Sequence, residues 1–167
     1  MCSSDLNGMK LCVNESIRDD LVTGFFQDHV LYRTLGLFAA RRHKFSILFV
    51  DILEHWHRET ATVPSRKRRK VLAELAHGLK AKFVGPFYRY GENNFALLLI
   101  QTAKDLAERK KNELSKLIHE TDWQKVTGHS VRLTAKFAVA SFPEEHRTND
   151  ELIAMALETL SDKVAAP

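Results

Sequence analysis

The chain has 167 residues, the size of a single domain, and is long enough to bury a core without disulfide staples. Hydrophobic residues make up 44% and charged residues 28%, which excludes a disordered or fibrous chain, and the net charge of +4 is too small to mark a nucleic-acid binder by itself. The two cysteines, Cys2 and Cys12, lack zinc spacing. The apolar runs Phe45–Leu53 and Phe95–Ile100 fall short of the ~18 residues that cross a bilayer. The start, Met1-Cys2-Ser3-Ser4-Asp5, lacks the order of a secretory signal, so the sequence predicts a cytoplasmic protein with no membrane contact.

Residues 1–18 are polar and mixed and read as a flexible lead, with the domain over 19–167. Asp28 is expected to cap a helix over His29–Arg42, where Val30, Leu31, Leu35, Phe38 and Ala39 recur at helical spacing. Lys44–Asp51 reads as a strand buried on both faces. A polar stretch follows from Leu53 to Pro64. Ser65 is then expected to cap a helix with Val71, Leu72, Leu75, Ala76, Leu79 and Phe83 on one stripe. Gly85-Pro86 ends it.

Phe87–Tyr90 and Phe95–Ile100 read as a hairpin around Gly91-Glu92-Asn93-Asn94, residues that tolerate tight turns. Thr102 is expected to cap a helix with Leu106, Ala107, Leu114, Leu117 and Ile118 inward. Val131–Phe142 reads as a long strand ended by Pro143. Thr148 and Glu151 form a capping box before a last helix, Asp150–Lys163. The hairpin excludes a purely parallel sheet and predicts an α/β sandwich.

Arg89-Tyr90-Gly91-Glu92-Asn93-Asn94-Phe95-Ala96-Leu97-Leu98-Leu99 resembles the R-Y-G-G-D-E-F-A-x-L-L hairpin of GGDEF domains, the diguanylate cyclases. Asp20-Leu21-Val22-Thr23-Gly24-Phe25 is similar to that family's D-x-L-T-G-L, and Phe49-Val50-Asp51-Ile52 to its first strand. Leu133–Ala140 with Pro143 is similar to its T-x-S-x-G-V-A…P strand, and Ala156–Leu160 to its closing A-D-x-A-L helix. The resemblance covers about residues 20–163. It implies a three-layer, nucleotidyl cyclase-like α/β domain with a mostly antiparallel central sheet flanked by helices. It also implies an activity in which two subunits, each with one GTP and two divalent ions, make cyclic di-GMP.

Against that pattern the site residues differ. The hairpin acid that the family uses for metal is Asn93, followed by Asn94, and the second glycine is Glu92, while Gly91 and Asp51 are kept. An amide carries no charge for Mg²⁺ and cannot take a proton near neutral pH. The added Glu92 carboxylate is expected to point to where the family brings backbone against nucleotide. The family's phosphate-contacting Lys is matched by Trp56, and its guanine-reading Asn and Asp by Glu59 and Thr60. Its inhibitory R-x-x-D site is matched by Lys82 and Gly85, which lack the bidentate fork. No metal and no cofactor are expected.

Asp51 also reads as an ordinary acid at a strand end, paired with Lys or Arg. His55 and His57 read as surface histidines, because alternate residues of a strand point to opposite faces. The run Arg66-Lys67-Arg68-Arg69-Lys70 opens a helix at the end where the dipole disfavours cations. It reads either as a solvated helix face or as a docking patch for an acidic peptide or a nucleotide phosphate. Arg41, Arg42, His43 and Lys44 mark an exposed turn. Phe25 is expected in the core, and Phe26 and Trp56 in an exposed apolar patch that meets a partner.

Taken together, the residues predict a catalytically inactive GGDEF domain, a protein–protein interaction module in bacterial cyclic di-GMP signalling. Its predicted contacts are Arg66 to Lys70, Trp56 and Phe26. The alternative is a non-catalytic sensor of GTP or cyclic di-GMP. A residual enzyme would need Asp51, Glu54 and Glu92 to rebuild a metal site.

Overall fold

In the computed structural model, residues 20–57 and 63–143 and positions 150, 151 and 154 are described. The elements are β1 (Phe26–Gln27), α1 (Asp28–Ala40), β2 (Phe45–Trp56), α2 (Ser65–Lys82), β3 (Phe87–Arg89), β4 (Asn94–Ile100), α3 (Lys104–Glu120), α4 (Trp123–Thr127) and β5 (Val131–Phe142). They form a five-stranded sheet of order β1-β3-β4-β2-β5. β1 runs parallel to β3, and the β2–β4, β2–β5 and β3–β4 pairs are antiparallel. The expected lead, Glu59, Thr60, Thr148 and most of the last helix lie outside the described residues, although Asp150, Glu151 and Ala154 are helical.

Side chains alternate across a strand, so β2 feeds two cores. Leu48, Val50 and Ile52 pack with Val71, Leu72, Leu75 and Leu79 of α2 and with Ala107, Leu114 and Ile118 of α3. Phe45, Ile47 and Phe49 face the other way, against Leu31 and Leu35 of α1. This gives the expected three layers. Phe25 is in the core as expected, stacked on Phe87 at 4.9 Å and edge-on to Phe95 at 5.3 Å.

Several local expectations are corrected. β2 continues to Trp56, through what reads as the start of a polar loop, because β5 pairs with it over its whole length. β4 stops at Asn94 opposite Asp51. Beyond that point β2 is laddered mainly on one side, and polar residues can alternate there with half-buried ones. Ser65 is the first residue of α2, with Pro64 before it and no side-chain cap. Asp28 is likewise inside α1, its carboxylate accepting from His29 N at 2.7 Å. Thr102 does not cap α3, because its hydroxyl donates to Ile100 O at 3.0 Å. Leu106 is exposed rather than inward.

Two elements carried too little sequence to be expected. α4 is a single short helix, started by Asp122 accepting from Lys125 N at 3.1 Å and ended by Gly128 at φ 74°. β1 is a two-residue strand that extends the sheet past β3.

Candidate functional site

The hairpin turn between β3 and β4 is held by one arginine. Arg89 donates to both carboxylate oxygens of Asp20, at 2.8 and 2.9 Å. The same guanidinium donates to Gly91 O at 3.2 Å and Glu92 O at 2.7 Å. Asp20 also accepts from Thr23 N at 2.8 Å and Thr23 Oγ1 at 2.7 Å. Burial alone would raise the Asp20 carboxyl, but the Thr23 donors and Arg89 outweigh it and hold it below the ordinary carboxylate value. The loop before β1 is thereby locked to the turn.

The turn's own residues part company. Asn93 O accepts from Ile52 N at 2.9 Å, which ties the turn to β2. Asn94 sits opposite Asp51 on the neighbouring strand, on the face that packs against α1. Its side chain fills the space beside Gly91, where an added Cβ would meet Asn94 Cγ at 3.2 Å. On the other side of β2, Lys136 of β5 is the register partner of Asp51. Burial raises the Asp51 carboxyl and Lys136 pulls it down, with burial dominant. Tyr90 lies on the same face, edge-on to Phe49 at 5.5 Å, and burial pushes its phenol well above the ordinary value.

A divalent ion wants two or more carboxylates with phosphate or water oxygens. Here one carboxylate is flanked by an amide and an ammonium. That donor set does not fit Mg²⁺, because the lysine already supplies the positive charge. Among the described residues there is no group of three or more His, Cys, Asp or Glu able to hold a metal ion.

Glu92 and Glu54 lie on the other side, near α2. The Glu54 side chain is 2% exposed, and its carboxylate accepts from Trp56 Nε1 at 2.8 Å. Arg68 Nε stands 3.3 Å from Glu54 Oε2, and its Nη1 reaches Glu92 Oε1 at 3.5 Å. Glu92 therefore turns towards α2, its side chain 75% exposed. Asp51 and the two glutamates thus take separate faces of the sheet, and the geometry does not bring them together as one ion site. Arg68, Arg69, Val22, Leu72 and Glu92 line a groove of about 590 Å³ between α2 and the turn. No sequence reading anticipated the Glu54–Arg68 pair, because a glutamate in a polar stretch gives no sign of burial.

The basic run opens α2 as expected, but helical spacing divides it. Arg68 and Arg69 line the groove just described, whereas Arg66, Lys67 and Lys70 line a separate hollow with His129. Trp56 is half-buried against the α2 core, 6.1 Å from the His129 ring. Phe26 lies at the far edge of the sheet, 37% exposed and 5.6 Å from the Tyr88 ring. The two aromatics thus occupy different edges of the sheet.

Lys82, at the end of α2, lines a hollow of about 590 Å³ with Glu113, Lys116 and Glu120. Gly85 has φ +145°, and an added Cβ there would stand 2.9 Å from Leu98 O. Its role is to let the chain pass close to β4. His55 Nε2 is 2.9 Å from Thr134 Oγ1, while His57 has its backbone N–H on Ser130 O at 3.0 Å.

No family model matches the sequence, and no curated protein matches it. Solved structures do. The FimX GGDEF domain from Pseudomonas aeruginosa superposes with a TM-score of 0.71 at 17% identity, over 87% of this chain and 92% of that one. The coiled coil and GGDEF domain of DgcB from Caulobacter crescentus, in complex with c-di-GMP, gives 0.72 at 15% identity, over 96% and 87%. The diguanylate cyclase SiaD from P. aeruginosa, in complex with its activator SiaC, gives 0.75 at 18%, over 96% of this chain and 63% of that one. The fold is that of a GGDEF domain. No helix of the described residues is long and apolar enough to cross a membrane.

Proposed function

We propose that this chain is a catalytically inactive GGDEF domain that works as a protein–protein interaction module in bacterial cyclic di-GMP signalling. The observation that carries the reading is the surroundings of Asp51. The acid kept from the resemblance has an amide, Asn94, on one neighbouring strand and an ammonium, Lys136, on the other. The family pattern has a small serine at the position of Lys136. A tethered cation beside the remaining carboxylate leaves no place for a charge-hungry divalent ion. Without metal, a GTP triphosphate brought to this face would gain neither charge neutralisation nor an activated ribose hydroxyl.

Support for the interaction role comes from the integrity of the scaffold. The buried faces, the Asp20–Arg89 lock and the turn geometry are intact while the chemistry-bearing positions have changed. A protein of this fold, SiaD, is known in complex with a protein activator. Calorimetric titration with GTP plus Mg²⁺, and separately with cyclic di-GMP, tests the reading. No heat is expected at about 0.1 mM ligand, whereas micromolar binding, worth about 8 kcal/mol, would favour the nucleotide-sensor alternative.

A further inference from the structure

Asp51 lies where β2 runs between its two neighbours, and the ladder decides what stands on either side of it. Its register partner on β4 is Asn94 and its register partner on β5 is Lys136. Directly opposed residues of an antiparallel pair point to the same face with their Cβ atoms about 5 Å apart, so the amide and the ammonium share the face of Asp51. All three residues are half-buried.

A half-buried carboxylate calls for a counter-charge, because burial disfavours its ionised form. The groups around Asp51 narrow the source. Asn94 is neutral. Tyr90, on the same face, feels the Asp51 charge but is itself held neutral by burial. Glu54 and Glu92 belong to the α2 side, so neither joins Asp51 to make a stronger anion. Arg132 is on the same face of β5 but opposite His55, four residues along, which at 3.3 Å per residue is about 13 Å away. The charge that draws the Asp51 carboxyl down is Lys136.

We propose that Lys136 is a built-in counterion, a tethered ammonium that offsets the half-buried charge of Asp51 and keeps divalent cations off this face of the sheet. The inference deepens the functional reading above and rests on it. A lysine held by its own strand is always at hand, whereas an ion must be drawn from solution to one carboxylate and one amide, a modest site at best. The ammonium also repels the ion. For two charges against one at about 6 Å in water, that repulsion is worth a factor of about ten in affinity.

The test is titration of the isotope-labelled full chain with Mn²⁺, read as paramagnetic broadening of the Asp51, Ile52 and Asn94 amide signals at about 10 mM salt, where screening is weak. Lys136→Ser should broaden at about one tenth of the Mn²⁺ concentration that the wild type needs. Lys136→Arg, which keeps the charge, and Arg132→Ser, which removes one from the same strand and face, should stay within about twofold of the wild type. Thermal melts confirm folding, and Lys136→Gln, which keeps most of the stem, repeats the comparison if Lys136→Ser does not fold. Equal broadening of the wild type and Lys136→Ser, broadening of neither, or a Lys136→Arg or Arg132→Ser variant that follows Lys136→Ser would overturn the proposal. Cyclic di-GMP synthesis by the wild type is followed in parallel. Synthesis with the Mn²⁺ difference intact would overturn the functional reading and uphold the counterion; no synthesis, with Mn²⁺ bound equally by the wild type and Lys136→Ser, would do the reverse.

Discussion

Replacing Arg68 with methionine removes the guanidinium from Glu54 while keeping much of the aliphatic packing. Glu54 would remain a buried carboxylate, its side chain 2% exposed, still accepting from the Trp56 indole at 2.8 Å. Breaking a buried pair by deleting one member costs about 3–5 kcal/mol when both groups are dry. Here Arg68 is 39% exposed at a groove that water enters, which screens the pair and lowers the expectation to about 2–3 kcal/mol. For a domain of this size that is a fall in Tm of about 5–10 °C. Urea unfolding followed by tryptophan fluorescence, with Arg68→Met, Glu54→Gln and the double variant, gives the cycle. The double variant should recover most of the loss, since no stranded charge remains. A loss below about 0.5 kcal/mol for Arg68→Met, or a double variant no better than it, would refute the idea that Arg68 holds a buried carboxylate.

Other outcomes follow from single positions. Gly85→Ala must place a side chain at φ +145° with its Cβ 2.9 Å from Leu98 O, and should cost about 2–4 kcal/mol in the same unfolding assay. Asp51 has its carboxyl raised, so its ionised form is the one the fold disfavours. Asp51→Asn should therefore match the wild type in stability below the ordinary value of 3.8, and gain on it as pH rises through the raised value. Asp20 is lowered, and the sign reverses. The wild type's advantage over Asp20→Asn should be full above 3.8 and disappear as pH falls through the depressed value, measured by thermal melts across pH.

The layered fold was legible because its signals are local and strong. Phe45–Val50 is apolar apart from Ser46, as a strand covered on both faces requires, and both α1 and the α2–α3 pair do cover it. Residues 53–56 were not legible as strand. Leu53 and His55 are exposed while Glu54 and Trp56 turn inward, and the inward pair includes a charge whose partner, Arg68, is distant in sequence. The same distance hid the groove.

The division of the basic run was readable in principle. Arg68, Arg69 and Leu72 share one side of a helix and Arg66, Lys67 and Lys70 another, so counting at 100° per residue separates them. What counting could not show was His129, which joins the hollow through the bend after α4. At the hairpin, the change from acid to Asn93 and Asn94 was plain in the sequence. That Lys136 stands across from Asp51 depended on the β2–β5 register, which a single long strand does not reveal.

The most direct measurement is turnover. The full chain is incubated with GTP and either Mg²⁺ or Mn²⁺, and the products are separated by chromatography. An Asn94-and-Lys136-flanked Asp51 should give no cyclic di-GMP above a protein-free control with either ion. Product that appears with the protein, and disappears on Asp51→Ala, would contradict the account.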